Sequence, residues 1–155
     1  MKNVLTINQT PERSIDIRAR REVTFILDQS EGIAEDITQA EHVLVVGEHD
    51  IPLWVGKIES FSISPGSNKK HITIRVGKLV SLFESWAVVS AYTQNHRLIH
   101  AKVTKMDVEV LIKAGTLVTG NEDVTFGSLT AKEAATRLAW TYGVAASQVK
   151  ISIRL

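Results

Sequence analysis

Five histidines and no cysteine bound the chemistry this sequence can offer. His96 and His100 form an H-x-x-x-H pair, a spacing that puts both imidazoles on one face of a helix and also of a strand. Such a pair is half of a metal site. With no cysteine in the chain and no glutamate after His96, the ligand set stays incomplete, and the pair reads as solvated. His71-Ile72-Thr73 is an H-x-T element, and chemistry with it needs two copies, one histidine as base and the other as acid. His100 is followed by Ala101 and Lys102, so the second copy is missing. Glu48-His49-Asp50 gathers charge in a turn with no proton to move. Gly77-Lys78 followed by Ser81 lacks the upstream glycine and spacing of a phosphate loop, and no G-x-S-x-G elbow occurs. No catalytic residue, metal site or cofactor site is expected, so the chain reads as a non-enzyme.

Binding residues are easier to find. Arg13, Arg18, Arg20 and Arg21 lie close together, with Arg18 and Arg20 on one face of a strand, and form the candidate nucleic-acid footprint. The neighbouring Glu12, Asp16 and Glu22 give the alternative of a solvated, self-paired strip. Trp54, Trp86 and Trp140 are dispersed. Trp140 falls off the apolar stripe of its helix, as either a partly buried packing residue or a residue in contact with another chain would. Trp54 and Trp140 are therefore candidate contact residues. The loop around Pro65, Gly66, Asn68, Lys69 and Lys70 joins them as an exposed hairpin tip.

The elements that must position these groups follow from periodicity. Ile15, Ile17 and Ala19, then Val23, Phe25 and Leu27, alternate with polar residues and favour strand; Thr10-Pro11-Glu12 is the competing helix start. Residues 29–41 read as an acidic loop with one helical turn. His42 to Gly47 is a buried strand, and Ile51 to Ile58 begins the next. Ser64 to Lys70 separates Phe61 and Ile63 from Ile72, Ile74 and Val76, which makes a hairpin. Leu79, Leu82, Phe83 and Trp86 fit a helical face and Ala87 to Tyr92 a strand, an assignment left open. Leu98 to Val103, Val108 to Ile112 and Leu117-Val118 are further strands.

The best-specified helix is the last. Thr130-Ala131-Lys132-Glu133 is a capping box. Ala131, Ala134, Ala135, Leu138, Ala139 and Tyr142 make its apolar stripe, and Gly143 with Val144 closes it. Ala139, Gly143 and Val149 also match helix-turn-helix spacing, whereas Val149, Ile151, Ile153 and Leu155 alternate as a final strand.

At 155 residues, 44% hydrophobic and 23% charged, the chain suits one domain over 1–155, with sub-modules at 1–112 and 113–155. Its 18 Lys and Arg against 17 Asp and Glu give a net charge of +1, so no global pull toward nucleic acid or anionic membrane arises. Apolar runs are far shorter than the roughly 18–20 residues of a spanning helix, and the N-terminal run is shorter than a signal peptide's. The expected fold is α+β and β-rich: an antiparallel β-barrel or sandwich with one C-terminal helix followed by a final strand.

Val43-Leu44-Val45-Val46, a polar turn, Trp54-Val55-Gly56-Lys57-Ile58-Glu59-Ser60 and then His71 to Leu79 resemble the β-barrel domains of bacteriophage tail and baseplate hub proteins of the late-control type. Leu129, Glu133, Ala134, Leu138, Ala139, Gly143 and Val144 are similar to the short helix that often follows such barrels. The likeness spans residues 40–80 and 129–144. It implies a structural, non-enzymatic subunit of a tail, baseplate or injection assembly, made in the host cytoplasm and carried in the virion. Its partners would be other tail or baseplate proteins and further copies of itself, with nucleic acid as the second choice through the arginine strip.

Overall fold

A computed structural model describes residues 1–28, 34–65, 68–119 and 130–153. Its frame is a seven-stranded sheet built from β1 (Lys2–Asn8), β2 (Glu22–Asp28), β3 (His42–Val46), β4 (Pro52–Pro65), β5 (Lys69–Ser81), β6 (Lys102–Met106) and β7 (Thr116–Leu117). The strand order is β2-β5-β4-β3-β1-β6, with β7 paired to β5. The sheet curls into an open half-barrel. Register shifts in β4 at Gly56, Ile58 and Ser60 supply much of the bend, since a bulge adds a residue to one strand only. Gly56 makes the bend fit: a Cβ there would stand 2.3 Å from a methyl of Val76.

The expected all-antiparallel arrangement is corrected at the centre, where β1 runs parallel to β3. A parallel pair needs a long crossover, supplied here by helix α1 (Pro11–Arg20), strand β2 and helix α2 (Ala34–Thr38). The two central strands are buried on both faces. Leu5, Ile7, Val43 and Val45 point into one cluster with Ile17 of α1, Phe25, Ile72 and Trp54. Val4, Leu44 and Val46 point into a second with Val89 of helix α3 (Trp86–Thr93) and Val108 and Leu111 of helix α4 (Val108–Ala114). The half-barrel thus carries helices on both faces.

Three local expectations are overturned, and one assignment left open is settled. Residues 11–20 form a helix, because Thr10 caps it by accepting from the Arg13 N–H at 3.2 Å and Pro11 presets its first turn. Arg21 ends it with φ 57°. In residues 79–92 the order is reversed: β5 runs on to Ser81, and 86–93 is helical, with Val89 and Thr93 buried one turn apart. Val108 to Ile112 lies in α4, started by the Asp107 side chain, which accepts from the Glu109 N–H at 3.2 Å. Residues 149–153 have no strand partner among the described residues, and the Tyr142-Gly143-Val144 turn leads into a single turn at Ala146–Gln148 instead of a recognition helix.

The last helix, α5 (Ala131–Tyr142), matches its reading at both ends. Thr130 Oγ1 accepts from the Glu133 N–H at 3.2 Å, the Thr130 N–H donates to Glu133 Oε2 at 2.8 Å, and Gly143 takes φ 65°.

His42 opens β3 with its imidazole buried and its Nδ1 unpartnered among the described residues. Burial pushes its pKa below the ordinary value. Glu41 and Glu109 pull it back up, while Lys2 and Lys57 push it further down. The folded ring therefore resists a proton that the unfolded chain accepts below about pH 6.5. Its contribution is complete above that pH and is lost as pH falls below it. The melting temperature is expected to drop between about pH 7 and pH 5. His42→Gln should flatten that part of the profile, and an equally steep profile in the variant would contradict the assignment.

Candidate functional site

Of the groups tested for catalysis, His49, Asp50 and His96 line one open cleft, while His100 and His71 have other surroundings. The N–H of Asn8 donates to His100 Nδ1 at 3.0 Å, and the His100 ring meets Phe25 edge-on, whereas the His96 ring lies beside Tyr92. Among the described residues, no group of three or more His, Asp or Glu side chains is placed to hold a metal. His71 sits exposed on β5 opposite Ile26 and Ser64.

The four arginines lie on and just after α1, and three of them are turned to internal work. Arg13 donates from Nε to the Thr24 carbonyl at 3.0 Å and from Nη1 to the Asn8 carbonyl at 2.8 Å. Arg21 donates to the Arg18 carbonyl at 2.6 Å and the Ile17 carbonyl at 3.3 Å, closing the C-terminus of its helix. Arg18 is buried with a guanidinium nitrogen 3.5 Å from Glu133 Oε1. Arg20 alone of the four is exposed, across from Asp16 at 3.9 Å.

The three tryptophans converge although the sequence separates them. Trp54, 2% exposed, meets Phe83 edge-on with centroids 5.0 Å apart. Phe83 stacks on Trp140 at 5.7 Å, and Trp86 meets Trp140 edge-on at 5.8 Å. The Arg137 guanidinium lies 5.1 Å from the Phe83 ring centroid and 5.9 Å from that of Trp54. Burial pushes the Arg137 pKa down, nearby Arg18 pushes it further, and Glu133 offsets part of this. Trp54 is therefore corrected from contact residue to core residue, since no face of its ring reaches solvent.

This stack also turns part of the expected stripe of α5 outward. Ala139 of the stripe faces the body together with Arg137 and Trp140, while Leu138 and Tyr142 of the stripe face solvent. The docking of one indole on Phe83 and the Glu133–Arg18 pair outweigh a row of alanines, because an aromatic ring buries far more area than a methyl group. Beside the stack lies a cleft of about 170 Å³ lined by Gln9, Gly47, Glu48, His49, Ile51, Leu53, Arg137 and Trp140. The Trp140 indole N–H is buried without an acceptor among the described residues. His49 and Asp50, at the adjoining turn, both hold φ 57°.

The outer surface carries apolar side chains that the sequence reading had assigned inward. Leu138 and Tyr142 lie one helical turn apart, Tyr142 at 73% exposure, and Val144, Ile151 and Ile153 follow, Ile153 at 84%. At the hairpin, Asn68 and Lys69 are exposed and Lys70 is half-buried, while Pro65 pairs with Lys70 at the end of the ladder. Gly66 lies outside the described residues. Among the described residues no helix is long and apolar enough to cross a membrane. Comparison of the chain with protein-family models, with curated proteins and with solved structures finds no match.

Proposed function

We propose that the protein is a structural subunit of a phage tail, baseplate or related injection assembly and that it works by contact with other protein chains. The observation that carries this reading is the run of exposed apolar side chains Leu138, Tyr142, Val144, Ile151 and Ile153 along the last described stretch of the chain. Exposed apolar side chains gathered on one short stretch mark a surface that another chain covers. The sequence likeness of residues 40–80 and 129–144 to hub-type barrels supplies the class of assembly, and a curled sheet with a capped helix beside it suits that class. The nucleic-acid alternative draws no support from Arg13, Arg18 and Arg21, whose guanidinium groups are engaged with backbone carbonyls and Glu133.

The expected result of co-expressing the tagged protein with the products of the genes flanking its own is a stoichiometric complex that survives purification at moderate salt. Leu138→Lys combined with Tyr142→Lys should release it. Recovery of the tagged chain without any flanking product would overturn the reading.

A further inference from the structure

Among the described residues, half of β4 has no strand neighbour on one side. β3 pairs with Pro52 to Lys57 of β4 and stops, whereas β4 continues to Pro65 with β5 alone beside it. Ser60, Ser62, Ile63 and Ser64 are exposed, and no backbone hydrogen bond to the outer side of residues 59–65 is found among the described residues. A free edge of this kind is a template for another strand unless something blocks it. Two other edges, those of β6 and β2, are blocked. β6 carries Lys102 and Lys105, and β2 has its Thr24 carbonyl taken by Arg13 Nε. From Ser60 to Ser64 the β4 edge has neither a charged residue nor a proline.

The face of the sheet tells the same story. One apolar row runs Phe25–Ile72–Ile63 across β2, β5 and β4, and the next runs Val23–Ile74–Phe61. Phe25 and Ile72 are almost wholly buried, but Ile63 is 41% exposed. The rows run out at the edge instead of ending on a polar residue.

We infer that this edge pairs with the same edge of a second copy, antiparallel, about a two-fold axis through Ser62. The inference rests on the contact reading above and names one partner. The sequence of the edge is complementary to itself about that point. Phe61 meets Ile63 of the copy, Ser60 meets Ser64, and no like charges oppose one another. Cross-strand partners share a face, so both apolar rows continue through the junction into the copy. An isologous contact of this form closes as a dimer and needs no other component.

The chain has no cysteine, so a single introduced thiol reports the geometry. Ser62→Cys places its Cα about 4.5–5.5 Å from its counterpart across the axis, within disulfide reach. Mild oxidation at low micromolar protein is expected to give a covalent dimer. Ser60→Cys, offset from its counterpart by about 13 Å along the strand, should form no covalent dimer under the same conditions. Ile63→Lys, at an exposed position, should leave the melting temperature unchanged and raise the dimer dissociation constant at least about tenfold in sedimentation. Equal cross-linking of the two cysteine variants, or a wild-type chain that sediments as a monomer at every concentration, would overturn the inference. A complex with flanking gene products that persists in Ile63→Lys would leave the contact reading standing while removing the self-pairing.

Discussion

Phe83→Ala is expected to destabilise the protein by about 3–5 kcal/mol. The ring is 3% exposed and fills the space between the Trp54 edge and the Trp140 face. Its removal deletes two aromatic contacts, each worth about 0.5–1.5 kcal/mol beyond area, and leaves a cavity that two large rigid indoles cannot collapse into. It also takes away the nearer of the two rings under Arg137. Denaturant unfolding followed by tryptophan fluorescence measures the loss directly, since the affected reporters are Trp54 and Trp140 themselves. Phe83→Leu keeps most of the volume and should cost under about 1.5 kcal/mol. A loss below about 1 kcal/mol for the alanine variant would mean that the stack does not hold α5 to the sheet.

Glu133→Ala is the second large effect, because one carboxylate does two jobs. Its Oε2 accepts from the Thr130 N–H at 2.8 Å, and its Oε1 stands 3.5 Å from buried Arg18. Loss of a cap costs about 1 kcal/mol. Arg18 has a further partner, so removing this carboxylate costs less than the roughly 3–5 kcal/mol of a buried guanidinium left alone. Glu133 keeps about a quarter of its side chain in solvent, so roughly 2 kcal/mol is the appropriate part of that range. The expected total is about 3 kcal/mol by chemical denaturation. Glu133→Gln, which keeps an acceptor for Thr130, should lose mainly the charge component. Arg18→Met in the Glu133→Ala background should recover part of the loss, and strict additivity of the two changes would show that the pair is not coupled.

Both predictions concern contacts that link residues far apart in the chain, which is where the sequence was hardest to read. Local signals were read well. The Thr130–Glu133 box, the αL glycine at 143, the buried run at 42–46 and the hairpin bracketed by Phe61–Ile63 and Ile72–Val76 all stand in the structure, because each is encoded by neighbours within a few residues. Helix α1 was missed because Ile15, Ile17 and Ala19 imitate strand alternation. The deciding signal was the Thr10-Pro11 start, whose cap is fixed whatever the period behind it. The same holds for Asp107 before α4. In 79–92 both halves are apolar, and short apolar runs do not separate helix from strand.

The parallel β1–β3 pair lay beyond any local pattern, since it depends on a crossover of two helices and a strand. The candidate contact residues divide along the same line. The β4–β5 ladder on either side of the expected tip was legible from the alternation before Pro65 and after Lys70. The fate of Trp54 and Trp140 was not, because Phe83, which joins them, is adjacent to neither in sequence. The outward turn of Leu138 and Tyr142 was missed for the same reason: Ala139 of the stripe docks as expected, while Phe83 and Arg18 draw Trp140 and Glu133 inward beside it.

The claim that this protein acts by contact is tested most directly by sedimentation velocity of the purified chain alone, mixed with the products of its flanking genes, and mixed with duplex DNA. The expected result is a boundary that moves faster than a single chain as protein concentration rises and faster again with a flanking gene product, with no change on adding DNA. A boundary that remains that of one chain in every protein mixture, or one that shifts with DNA alone, would contradict it.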